Sequence, residues 1–100
     1  FLLVQLGKIE LLQGEIALQG GEFKSAGEHF TLSLAYDEKY AEDFRDMRRG
    51  MDRMYALLKG LNAGELGQVL EGIEQAAKTC SLSRPTRMHR FLQDSFGVSQ

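Results

Sequence analysis

Apolar residues recur along this chain at steps of three and four, the spacing that puts side chains on one face of an α-helix. Leu2, Leu6, Ile9, Leu12 or Gln13, and Ile16 form the first such run. Gly20-Gly21 closes it, since glycine readily takes the left-handed conformation that ends helices. A first helix is expected over residues 2–19. Phe23, Ala26, Phe30 and Leu34 form a second stripe that ends near Tyr36-Asp37, giving a second helix over 22–35. The third run is the most regular: Tyr40, Phe44, Met47, Met51, Met54, Leu58 and Leu61 alternate steps of four and three, a seven-residue repeat. Gly60 and Asn62-Ala63-Gly64 are read as its end. A fourth helix follows, marked by Leu66, Val69 or Leu70, Ile73, Ala76 or Ala77, and Cys80. Ser83-Arg84-Pro85 has the composition of a helix start, because proline lacks an N–H that the first turn would leave unpaired anyway. A fifth helix is therefore expected over 84–95, with Met88, Phe91, Leu92 and Phe96 on its apolar side. Sustained period-two alternation is absent, so the expected class is all-α.

The two expected turns share a pattern. Gly21-Glu22-Phe23, Ala26, Phe30 and Ser33 correspond at identical spacing to Gly64-Glu65-Leu66, Val69, Ile73 and Ala76. The chain reads as one domain built of a hairpin over 2–36, a hairpin over 38–80 and a terminal helix over 84–96. The chain opens on Phe1 rather than methionine, and the expectation is a fragment of a longer protein.

Gly14, Gly21, Phe23, Ala26, Phe30 and Ser33 together resemble a tetratricopeptide repeat, with glycines in the first helix and at the turn, then alternating small and aromatic residues in the second. The resemblance covers about residues 8–37 well and 40–77 poorly. Leu57 stands where the family has its in-helix glycine in the second copy, and Glu38 where a closing proline is common. The resemblance implies a short array of antiparallel hairpins, about five helices in all, whose leading helices line a concave face that accepts a peptide or partner helix. Carried over by position, that face comprises Lys8, Leu11, Glu15 and Leu18 with Met51, Met54 and Leu58. Capture of a chaperone's terminal carboxylate requires lysine and asparagine where this chain has Leu11 and Glu15, which argues against that ligand.

Composition narrows the function classes. Twelve basic and fourteen acidic side chains in 100 residues exclude a strongly basic nucleic-acid binder in bulk. The distribution is uneven, however: residues 1–38 carry two basic and six acidic groups, whereas residues 39–59 carry six and four. Arg45, Arg49 and Arg53 recur at steps of four with Arg48 beside them, and Arg84, Arg87 and Arg90 accompany His89. Interleaved Glu42, Asp43, Asp46 and Asp52 favour a solvated face with local ion pairs over a phosphate-binding patch. The single cysteine, Cys80, permits no intrachain disulfide and points to a reducing compartment, cytoplasm or nucleus. The opening apolar run stops at Gln5, and Lys8, Glu10 and Glu15 fall within any span, so no membrane insertion is expected.

His29, His89 and Cys80 have no metal-ligand spacing and no nucleophile–base arrangement, and no glycine-rich phosphate loop is present. The expectation is a non-enzymatic module without cofactor. It serves protein–protein interaction or assembly, as an adaptor or scaffold, with Leu11, Leu18, Met51, Met54 and Leu58 accepting apolar side chains and Lys8, Glu15 and Arg48 at the rim. The alternatives are self-association through the helix-three stripe and, behind it, an acidic-surface or nucleic-acid binder. The methionine stripe is compatible with either core or groove.

Overall fold

A computed structural model of the protein describes residues 2–40 and 44–79, which form four α-helices: α1 (Leu2–Gln19), α2 (Phe23–Tyr40), α3 (Phe44–Leu58) and α4 (Ala63–Thr79). Among the described residues there is no strand, and every element they form is an α-helix. The expected fifth helix, Cys80 and the arginines around His89 lie outside the described residues.

Helix α1 ends as its sequence demands. Gly21 takes φ +77°, the amide of Glu22 donates to the carbonyl of Ala17 (2.8 Å), and that of Gly21 donates to Leu18 (3.1 Å). These two bonds satisfy carbonyls that the helix end would leave unpaired, and they turn the chain directly into α2. Helix α2 runs five residues beyond its expected end at 35. No glycine or proline interrupts residues 28–49, and the rings of Tyr36 and Tyr40, one turn apart, stack at 6.1 Å. Tyr40 thus belongs to α2 and not to the stripe of α3.

The second corner differs from the first. Gly64 lies inside the first turn of α4, and Asn62 is its cap: the Glu65 amide donates to Asn62 Oδ1 (2.8 Å) while the Asn62 amide donates to Glu65 Oε1 (3.1 Å). This reciprocal box satisfies two amides that have no helical partner. Asn62→Ala should cost about 1 kcal/mol, read as a fall in the midpoint of urea unfolding.

Helix α2 is the hub, packed along α1 and along α4, with α3 resting on α2 and α1. Glycines set both principal approaches. A Cβ built on Gly27 would fall on the Val69 carbonyl of α4, and one on Gly72 would fall on the Lys24 carbonyl of α2. On the other side, a Cβ on Gly14 would enter the Phe30 ring, and Ser33 Oγ donates to the Gly7 carbonyl (2.7 Å). The close backbone approach of α4 is therefore to α2, and not to α3, which precedes it across the short turn. The core consists of Ala17, Ala26, Phe30, Leu34, Met54, Leu58, Val69 and Ile73. Of the six pairs matched between the two turns, the last three, Ala26 with Val69, Phe30 with Ile73 and Ser33 with Ala76, are buried, whereas the three at the corners are not.

Candidate functional site

Small residues at the crossing of α1, α2 and α3 leave space between the helices. Gly7 and Gly50 face each other across the Asp37 carboxylate: a Cβ on Gly50 would lie 3.2 Å from Oδ2, and one on Gly7 would fall on Oδ1. Asp37 is held there at 7% exposure, on the part of α2 that lay beyond its expected end. Around it opens a cavity of about 260 Å³, lined also by Lys8, Leu11, Ser33, Arg49 and Arg53. One buried carboxylate, three cationic side chains and an apolar wall from Leu11 thus converge on a single opening.

The residues singled out from the sequence divide between this opening and the core. Lys8 and Leu11 line the cavity, Lys8 exposed and Leu11 half-buried. Glu15 stands beside it and accepts a hydrogen bond from the Arg53 guanidinium, tying α1 to α3. Arg48 is exposed but does not line the cavity; its neighbour Arg49 does. Leu18 and Met51 are half-buried against the core.

Met54 and Leu58, each 2% exposed, belong to the core itself, so their share of the expected apolar groove is spent on folding. The same burial keeps them from meeting a second copy while the fold is intact. At these two positions the heptad stripe is core, because a stripe at helical spacing is buried by whichever neighbour reaches it first, and here α3 turns it inward.

Sequence reasoning missed Gly7, Ser33, Asp37 and Gly50 as lining residues. Arg49 and Arg53 had a signal in the four-residue spacing of the arginines. An acidic residue one turn beyond the buried Ser33 was a weaker one.

A further difference concerns α1. Ile9, Leu12 and Ile16, expected on its main apolar stripe, are 48%, 57% and 66% exposed. Gly7, Gly14 and Ala17 are buried instead. The smaller face won because it lets two backbones approach closely enough for Ser33 and Phe30 to reach across.

Among the described residues, no group of three or more histidine, cysteine, aspartate and glutamate side chains could hold a metal ion, and no helix is long and apolar enough to cross a membrane. Compared with family models, curated proteins and solved structures, the chain has no match.

Proposed function

We propose that this chain is a non-enzymatic protein-interaction module, a short tetratricopeptide-like array of about five helices, that docks a partner peptide or amphipathic helix at the opening between α1 and α3. A reducing compartment suits its single cysteine. The observation that carries the reading is the cavity beside Asp37. It sits where α1, α2 and α3 cross and joins the apolar Leu11 wall to the cationic groups of Lys8, Arg49 and Arg53. A convergence of a few polar groups on an apolar recess is the usual form of a binding site. Leu11 supplies area removed from water, while the charges set register and partner choice.

A photo-crosslinking side chain at Lys8 should trap the partner in cell extract, whereas the same group at the exposed Glu74 of α4 should not. The trapped protein should then be lost with Arg49→Glu. Equal capture from both positions would defeat the reading.

A further inference from the structure

The outer face of α1 is an uncharged seam in heptad register. Gln5, Ile9, Leu12, Ile16 and Gln19 alternate steps of four and three, and the three large apolar members are exposed although α1 is packed on α2. We infer that this seam pairs with the same seam of a second copy, antiparallel, forming a two-fold dimer whose charged flank, Lys8 and Glu15, borders the α1–α3 opening. The pairing follows from charge. Only two charged residues flank the seam on its Leu12 side, Lys8 and Glu15, one helical heptad apart and opposite in sign.

In the antiparallel register that lays Ile9 against Leu12 of the second copy, Lys8 of each copy stands beside Glu15 of the other, twice by symmetry. Leu6 then meets Gln13 across the opposite flank, and Gln5 meets Ile16. The two helices overlap over their whole length, about 27 Å for eighteen residues. A parallel pairing in the same seam would put Lys8 beside Gln13 and Glu15 beside Gly20, satisfying neither charge, with the helix dipoles side by side. The antiparallel arrangement also completes a cluster already begun within one chain. Glu15 accepts from Arg53 of α3, and Lys8 of the second copy brings a further cation to the same carboxylate.

No other surface of the described residues repeats this combination. Among the side chains whose exposure is described, Tyr55 is the other large apolar one that is substantially exposed, and it stands on α3 amid charged neighbours. A single helix pair is a small interface, so the dimer should be weak and should form in the micromolar range or above.

Sedimentation equilibrium of the full chain from micromolar to millimolar concentration tests the inference. A concentration-dependent dimer is expected, weakened at least about tenfold by Ile16→Glu with far-ultraviolet circular dichroism unchanged. Lys8→Glu should weaken it roughly three- to thirtyfold at low salt, and adding Glu15→Lys to that variant should restore most of the loss. A monomer throughout the range overturns the inference. So does a dimer indifferent to Ile16→Glu, and a dimer weakened by Ile16→Glu but blind to the charge exchange overturns the antiparallel pairing. A crosslinker at Lys8 can also reach the second copy, so the opening is judged only by a trapped protein other than this chain and the dimer only by sedimentation of chains without the crosslinker; failure of one leaves the other standing.

Discussion

Gly72→Ala is expected to destabilise the protein by about 1–3 kcal/mol, whereas Gly67→Ala, five residues earlier on the same helix, should stabilise it by about 0.5–1 kcal/mol. Alanine is the better helix former by nearly the same amount at both positions, so intrinsic propensity predicts two stabilised variants. The surroundings decide otherwise. Gly67 is exposed, and a Cβ there meets nothing within 4 Å. At Gly72 the new methyl group would fall on the backbone carbonyl of Lys24, and a backbone cannot swing aside as a side-chain tip can. The helices α2 and α4 would have to separate, opening the contact among Ala26, Val69 and Ile73. For a domain of this size each kcal/mol moves the thermal midpoint by about 4–8 °C, so the variants should melt on opposite sides of wild type. Gly72→Ala melting at or above wild type would mean that α2 and α4 are not in backbone contact. Gly27→Ala, which meets the Val69 carbonyl from the other side, should behave like Gly72→Ala.

Phe30→Ala should cost more, about 3–5 kcal/mol, a large share of the 5–15 kcal/mol typical of a folded domain. The ring is 1% exposed and fills the space that Gly14 leaves on α1, so truncation removes apolar area from the core and leaves a cavity against a residue with no side chain to fill it. Gly14→Ala alone should also destabilise, by driving a methyl group into the ring. The pair is coupled: Gly14→Ala combined with Phe30→Leu should cost less than the sum of the two single changes, because the smaller side chain makes room for the new methyl. Chemical unfolding of the four proteins in this cycle gives the coupling directly. Additive costs would separate the ring from the glycine and remove the argument for how α1 meets α2.

Both predictions concern small residues, and small residues are where sequence and structure part company. The resemblance to a tetratricopeptide repeat placed Gly14, Ala26, Phe30 and Ser33 in a close-packed hairpin, and the structure buries all four between or beside α1 and α2. Gly27 and Gly72 had no such pattern behind them. A glycine inside a helical stretch reads only as a weak spot until a second backbone is shown to press on it.

The opening beside Asp37 was half legible. Lys8 and Leu11 were named on the leading helix, and Arg49 and Arg53 belonged to a noticed basic row. Asp37 lay past the expected end of α2, and the gaps at Gly7 and Gly50 follow from where three helices cross. Asn62 and Glu65 show the converse: their spacing is a capping signature in the sequence itself, yet reading Asn62-Ala63-Gly64 as a stop obscured it.

The sequence by itself determined the helical class of the described residues, the end of the first helix at Gln19 and the left-handed corner at Gly21, because these depend on local propensity and on backbone bonds between near neighbours. Tertiary structure decided which of the two apolar faces of α1 is covered, that α4 presses on α2, and that Met54 and Leu58 serve the core. Periodicity tells which residues share a face of a helix but not which neighbour that face will meet. That choice is made by the fit of backbones and side chains from distant parts of the chain, and here closeness of approach at the small face of α1 prevailed over the larger apolar area of Ile9, Leu12 and Ile16.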